Sequence, residues 1–535
     1  MPSSSLRPQR PPITPIGRLA DAIGATVHGG GGGSVTELSV TGVELRAQDV
    51  LPGDLFAALP GARHHGARFA ADAVARGAVA VLTDPEGADL VATTTAGSDV
   101  VVLVHSNPRS VLGSVSATVY GDPSASMTVV GITGTSGKTT TSYLVEAALR
   151  AGGRTPGLIG TVETRIGDTP VPSALTTPEA PHLHALFAAM LEQGCDSVVM
   201  EVSSHALSLG RVDGTRFAVG AFTNLSQDHL DFHHTFEEYF AAKARLFAAD
   251  SDVHAAESVV CVDDEWGRRM SDIAAASGPV TTVSTGGETD GASAVARAWQ
   301  VRADGTQTFR AVLGDHDVAA TLRLPGRYNV ANALVAAAVA VRVGVDPQVA
   351  MDAMATVDVP GRMQRVDRGQ PFLALVDYAH KPAALEVALA TLRRQSTGRI
   401  AVVVGAGGDR DTEKRPLMGA VSAAAADLVV ITDDNPRSED PALIRAAVRT
   451  GAMGVADDVR GEVVEISPRA DAVAYAVRWA RPGDVVLVAG KGHEVGQKVG
   501  DVVHPFDDRE ALARAIDGLA TVGPSIDERG EDQRS

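Results

Sequence analysis

The sequence predicts an α/β protein built around a phosphate-binding loop, and three observations predict it. Gly and Ala are abundant, and the apolar residues fall in short Val-rich runs, the pattern of buried strands wound with helices. One run, Met127-Thr-Val-Val-Gly131-Ile-Thr, passes directly into Gly134-Thr135-Ser136-Gly137-Lys138-Thr139-Thr140 and then into a helical pattern through Tyr143, Leu144, Ala147 and Ala148. Three later runs, ending near Val404, Ile431 and Val488, each lead into a charged loop, and ligands of open parallel sheets bind beyond the carboxyl ends of strands.

The loop after Thr133 has the parts of a phosphate cradle. Glycines let backbone N–H groups close around phosphate oxygens, Lys138 adds a point charge, and Thr139 can ligate Mg²⁺. The longer form of this motif needs a glycine at position 132, where Ile132 stands. An ordinary glycine-rich strand–helix turn is the alternative. Lysine and threonines directly after the glycine have no structural reason to be there, which favours the cradle.

The remaining elements follow in order. A length of 535 residues allows about three or four domains. Residues 1–15 are rich in Pro, Ser and Arg, with neither a signal-peptide nor an anchor pattern, and are expected to be disordered. In 16–126, a helix begins at Leu19–Ile23, Val50–Ala58 is a turn into a strand, Phe69–Arg76 is an amphipathic helix, and 79–82 and 100–104 are strands. In 127–359, the strand Ser197–Val202 places Glu201 at its end, where a carboxylate can hold Mg²⁺ or cap a helix. Thr223 to His234 is dense in potential ligands; one imidazole assisting a Mg²⁺ site fits it better than zinc, which has no cysteine here. Tyr239–Phe247 is a helix with Lys243 among apolar residues; burial would lower its pKa and leave a neutral, nucleophilic amine, unless the side chain snorkels. Asn332 stands before an Ala-rich helix, as a cap or as a contact to a purine edge. In 360–523, the charged loops hold both Arg and Glu, a pairing suited to a zwitterionic amino acid. Residues 524–535 are a charged tail, expected to be disordered.

Charge and composition narrow the function. A net charge of −18 argues against general nucleic-acid or anionic-membrane binding. No apolar run reaches the ~20 residues that span a bilayer. Cys195 and Cys261 are far apart and share no metal-ligand spacing, which suits a reduced, cytoplasmic setting. Only six of the 47 basic residues are lysine, so Lys138 and Lys243 are retained against a strong preference for arginine and are expected to do what arginine cannot.

Together these motifs resemble the Mur ligases, ATP-dependent amide-forming enzymes of peptidoglycan synthesis, over about 16–520 of the chain. Within that family the pattern is nearest the branch that adds meso-diaminopimelate to UDP-MurNAc-L-Ala-D-Glu. The resemblance implies three domains: 16–126 for the UDP end of the substrate, 127–359 as the ATPase, and a Rossmann-like 360–523 for the amino acid; a monomer is expected. It implies that Gly134, Thr135, Ser136, Gly137, Lys138, Thr139 and Thr140 hold ATP, with Asn332 at the adenine and Arg362, Asp377 and His380 completing the ATP site. Thr139, Glu201 and His229 are implied for magnesium, and Lys243 matches the family lysine that becomes N6-carboxylysine and helps position Mg²⁺. Thr176, Thr177, Ser203, Leu209 and Arg211 match contacts to the nucleotide-peptide, as do Leu45 and Ala47. Arg410, Asp434, Asn435, Pro436, Arg437, Gly490 and Glu494 match the diaminopimelate site, with Arg437 taking the distal carboxylate that L-lysine lacks.

The chain departs from the family pattern in three places. The family's Leu-Asp-Ser-Arg reads Leu45-Arg46-Ala47-Gln48, so the serine and arginine side chains expected near the uridine are missing. Leu209 replaces a polar residue, and Thr-Pro-Asp after His380 reads Lys381-Pro382-Ala383. A sister ligase using L-lysine, a folylpolyglutamate synthetase-like enzyme, a phosphate-loop ATPase or kinase, and a non-catalytic nucleotide-binding scaffold are the alternatives.

Overall fold

The computed structural model describes residues 7–29, 38–61, 63–96, 98–171, 175–286, 291–302 and 305–521. The chain divides into two compact units: Met1–Arg297 with Arg310–Ala320 and Val330–Ala355, and Ala298–Phe309 with Thr321–Asn329 and Thr356–Ser535.

The first unit begins with a five-stranded sheet in the order Thr26–His28, Val101–Val104, Ala80–Thr83, Asp54–Ala57, Gly42–Glu44. It is parallel except at Thr26–His28. Successive side chains of a strand face opposite ways. Leu55 and Ala57 therefore pack with Ile16, Leu19, Leu112 and Val115 on one face, while Phe56 and Ala58 pack with Ala70, Ala73 and Val91 on the other.

The expectation of a disordered 1–15 is corrected for residues 7–15; residues 1–6 lie outside the described residues, as do 524–535. Arg7 donates to Asp54 at 2.6 and 2.9 Å and to Glu44 at 3.3 Å. The amides of Gln9 and Arg10 donate to Glu192, and Thr14–Pro15 pairs with Ser39–Val40. The cause is electrostatic: the Glu44 and Asp54 side chains are almost wholly buried and need a cation, which Arg7 supplies across a sequence gap that composition does not reveal.

Glu44 also meets His182, whose Nε2 lies 3.2 Å from Glu44 Oε1. Burial raises the Glu44 pKa, but His182, the Leu45 amide and Arg7 outweigh it and hold the carboxyl at about 2. A depressed folded-state pKa stabilises the fold above the unfolded value near 4.5, and that stability is lost as pH falls toward 2. In urea titrations between pH 6 and 2.5, Glu44→Gln is expected to remove about 1–3 kcal/mol of the acid-sensitive stability. An unchanged pH slope would contradict the assignment.

The main sheet of this unit runs Thr169–Val171, Thr164–Ile166, Pro156–Ile159, Ser197–Glu201, Thr128–Thr133, Val219–Phe222, Glu257–Cys261, Val280–Ser284 and continues at Ala294. From Pro156–Ile159 to Val280–Ser284 it is parallel. Register sets Glu201 beside Ile132 and Phe222 beside Thr133, so three strands deliver their carboxyl ends to one place.

The second unit holds a six-stranded sheet in the order Gln364–Arg365, Leu373–Asp377, Val485–Ala489, Ile400–Val404, Leu428–Ile431, Glu462–Glu465, parallel except at its first pair. Leu375, Val402, Val429 and Leu487 face the helices Pro382–Gln395, Lys414–Ala425 and Pro441–Met453. Val376, Val403, Val430 and Val488 face Arg469–Trp479 and Asp508–Thr521. Both faces are covered, which is why these strands read as continuous apolar runs. Among the described residues no helix is long and apolar enough to cross a membrane.

Candidate active site

In the first unit the strand Thr128–Thr133 ends, Gly134 and Gly137 turn at φ 149° and 89°, and the helix Lys138–Ala151 begins. Ile132 is fully buried within the strand, so the loop starts after it and a glycine there has no task. No side chain caps the helix, which leaves its first turn and the positive end of its dipole facing the loop. A Cβ on Gly137 would lie 2.5 Å from Asn332 Oδ1, and one on Gly134 would collide with Thr223 Oγ1. A cradle this tight fits a phosphate held by main-chain N–H groups. Gly137→Ala combines that clash with a left-handed φ, and is expected to raise the KM for ATP at least about tenfold. Steady-state kinetics would measure this, and an unchanged far-UV circular dichroism spectrum would show that the fold survives.

Two neighbours fix the loop. Asn224 accepts from the Ser136 amide at 3.0 Å and donates to its carbonyl at 3.1 Å, and Thr223 Oγ1 donates to the same carbonyl at 2.7 Å. Lys138 Nζ donates to the Gly134 carbonyl at 2.9 Å. Lys243, only 1% exposed, donates to that same carbonyl at 2.8 Å and lies over the Tyr239 ring. Burial and the charge on Lys138 push the Lys243 pKa well below the ordinary lysine value. The expected buried amine is thus present, on the helix Phe236–Ala244.

Glu201 accepts from the Thr161 amide at 2.8 Å and from its hydroxyl at 3.0 Å. Around it the structure gathers Thr176, whose hydroxyl meets Thr161 at 3.0 Å; Thr177, which donates to the Glu201 carbonyl; and Ser203, whose amide donates to Thr177. Arg211 pairs with Glu179 at 2.8 Å, and Leu209 closes the short helix Ser204–Ser208. Leu45 follows directly on the strand Gly42–Glu44, and the buried Ala47 opens the short helical turn Ala47–Asp49, close in sequence to the Glu44–His182 link. His229 adopts φ 53° and packs edge-on to His205 at 4.8 Å.

Mg²⁺ takes oxygen donors and keeps several waters, so one carboxylate, one hydroxyl and substrate phosphates suffice. Thr139 at the loop and Glu201 on the adjoining strand end fit that donor set, since each carboxylate oxygen retains a second lone pair.

Asn332 corrects one expectation. The helix starts at Arg327, so Asn332 lies inside it and not at its N-cap; its amide packs beside Gly137.

In the second unit Asp377 is half-buried, accepting from the amides of Met363 at 2.7 Å and Ala379 at 2.8 Å. Burial raises its pKa against the pull of Arg362. Arg362 lies over the Tyr378 ring, and His380 Nδ1 meets the Tyr378 carbonyl. The three charged loops converge. Asn435 donates to Glu494 at 2.8 Å, Arg437 donates to the Gly408 carbonyl, and a Cβ on Gly490 would sit 2.8 Å from Asp434 Oδ2. Arg410 and Pro436 lie on the same loops.

Sequence reasoning missed Thr161, which no motif marks, and the role of Lys491. Fully buried, Lys491 donates to Asn435 and Glu494 at 3.1 Å each. The scarcity of lysine was a signal for it.

Comparison with known proteins matches residues 39–120 to the Mur ligase family catalytic domain, 132–340 to the Mur ligase middle domain and 361–492 to the Mur ligase glutamate ligase domain. A Corynebacterium efficiens protein named UDP-N-acetylmuramoyl-L-alanyl-D-glutamate–2,6-diaminopimelate ligase is 56% identical over 465 residues, 86% of this chain and 87% of that one. A Streptomyces avermitilis protein of the same name is 50% identical over 95% of this chain and 98% of its own. A solved structure of a ligase of that name has a TM-score of 0.67 at 31% identity, covering 91% of this chain and 97% of its own.

Proposed function

The chain belongs to the Mur ligase family, and from that premise we propose that this ATP-dependent ligase joins meso-diaminopimelate to the D-Glu γ-carboxylate of UDP-MurNAc-L-Ala-D-Glu. The observation that carries the reading is the pair of lysines on one carbonyl of the phosphate loop: Lys138 placed for the phosphates, and Lys243 buried where an uncharged amine can be carboxylated.

A γ-carboxylate oxygen attacks the terminal phosphorus of ATP in line, the bond to ADP breaks, and an acyl phosphate forms. Lys138 and the N–H groups of the first helical turn offset the charge on the transferring group. Thr139 and Glu201 would hold Mg²⁺ there, with His229 assisting, and the ion would supply further charge neutralisation. The free amine of diaminopimelate then attacks the acyl carbon, the tetrahedral intermediate collapses, phosphate leaves, and the nitrogen loses a proton to give the amide. Thr176, Thr177, Ser203 and Arg211 orient the peptide end, while Leu45 and Ala47 meet the uridine end through main chain. Asn332, Arg362, Asp377 and His380 serve the nucleotide. In the second unit Arg410, Asp434, Asn435, Pro436, Arg437, Gly490 and Glu494 bind the amino acid, carboxylates to the guanidinium groups and ammonium to Glu494.

The test is phosphate release from ATP with UDP-MurNAc-L-Ala-D-Glu, comparing meso-diaminopimelate with L-lysine. Release with diaminopimelate, and the tripeptide product by mass, is expected. Release with lysine alone would keep the ligase and overturn the Arg437 reading. Release with neither amine present would overturn amide synthesis.

A further inference from the structure

Arg469 belongs to none of the loops assigned above. It opens the helix Arg469–Trp479 on the face of the second sheet away from the helix Lys414–Ala425. Its side chain is wholly buried. Nε and Nη2 donate to the two oxygens of Asp508 at 2.7 and 2.8 Å. Asp508, also fully buried, is the first residue of the helix Asp508–Thr521. Nη1 donates to the Asp433 carbonyl at 3.2 Å, and Nη2 also donates to the Ala489 carbonyl at 2.9 Å.

Those two carbonyls immediately precede Asp434 and Gly490. They stand at the carboxyl ends of strands that are not neighbours, because Ile400–Val404 runs between Leu428–Ile431 and Val485–Ala489. Two strand spacings are about 9.6 Å, so no ladder hydrogen bond joins these ends directly. One guanidinium spans them beyond the end of the middle strand. We infer that Arg469 is a positioning residue of the amino-acid site: it sets the separation of the Asp434–Arg437 loop from the Gly490–Glu494 loop, and Asp508 holds it in that pose. The inference rests on the proposed role of those two loops.

The argument turns on donor geometry. Arginine presents a fork of N–H donors in a fixed plane, whereas lysine has one nitrogen and cannot satisfy a carboxylate and two separated carbonyls together. The site side of the same two loops is bridged by Lys491, which contacts Asn435 and Glu494 and lies 3.8 Å from Asp434 Oδ1. Lys491 thus joins side chains and Arg469 joins main chains. With Arg469 changed, the Asp433 and Ala489 carbonyls lose their common anchor, and the separation of Glu494 from Arg437 is expected to shift.

The test is steady-state kinetics on Arg469→Lys and on the double variant Arg469→Met with Asp508→Leu, each substrate varied in turn. The double variant removes both buried charges at once and keeps apolar volume, which lets the fold survive without the ion pair. The expected result is a KM for meso-diaminopimelate raised at least about tenfold in both, with the KM values for ATP and UDP-MurNAc-L-Ala-D-Glu within about twofold of the parent. A purely structural role would lower the active fraction, and hence kcat, and leave all three KM values in place. A parental diaminopimelate KM in the folded double variant overturns the inference while the proposed function stands. Absence of diaminopimelate-dependent turnover in the unaltered protein overturns the functional reading, and this inference with it.

Discussion

Lys243→Ala is expected to reduce kcat by about 10²–10³-fold, the loss that follows removal of one preorganised electrostatic group from a water-excluded site. The physical ground is the crowding at Gly134. Two amines donate to one carbonyl oxygen, from Lys138 at 2.9 Å and Lys243 at 2.8 Å, and like charges this close disfavour joint ionisation. Lys243 is the one out of water, and its pKa is lowered by burial first and by Lys138 second. A neutral amine attacks CO₂ through its lone pair, loses a proton, and becomes a carbamate. Such a carbamate would attract Lys138 and would place a carboxylate near the phosphate loop. Formate or acetate added at tens of millimolar is expected to restore part of the Lys243→Ala activity by filling the vacated space. Lys243→Arg, which is bulkier and does not carboxylate, should not be rescued. Full activity in Lys243→Ala would exclude the carbamate role.

The phosphate loop was legible because its chemistry is local. An apolar run, two glycines and Lys138 are contiguous, and the structure turns where they stand. Glu201 was legible for the same reason, at the end of a Val-rich strand. The charged loops of the second unit were legible one by one, and parallel topology explains why three ends of separate strands meet. What could not be read depends on partners distant in sequence. Arg7 is ordered by Asp54, 47 residues away. Arg469 meets Asp508 39 residues on and a carbonyl at Asp433 36 residues back, and nothing in the local pattern distinguishes it from the arginines of any exposed helix. The start of the helix that carries Asn332 was misread for another reason. The helix extends back to Arg327 across Asn329, whose side chain donates to the Pro325 carbonyl at 2.7 Å, so propensity placed the helix start too late.

Arg437→Ala is expected to raise the KM for meso-diaminopimelate by about 10–150-fold, since a hydrogen bond to a charged group is worth about 1.5–3 kcal/mol. Its backbone is in the left-handed region at φ 52°, a conformation that a non-glycine residue keeps only when its surroundings impose it. The surroundings are the hairpin Gly496–Val499 and Val502–Pro505. The Arg437 amide donates to the Lys498 carbonyl at 3.0 Å, Gly500 donates back to the Arg437 carbonyl at 2.6 Å, and the Lys498 amide donates to Asn435 Oδ1 at 2.9 Å. The guanidinium is thus presented from a fixed main chain, and in the structure its Nη1 is donated to the Gly408 carbonyl. A distal carboxylate offers a charged, bidentate acceptor in place of that neutral one. L-Lysine ends in an ammonium and offers none, so its own weak turnover should change little and the preference for diaminopimelate should shrink by the same factor. Arg437→Lys keeps the charge but loses the fork, and is expected to fall between the two. Competition assays with both amino acids in one reaction, products resolved by mass, measure the ratio directly. A ratio unmoved by Arg437→Ala would assign the distal carboxylate to another cation, with Arg410 on the neighbouring loop the next to test.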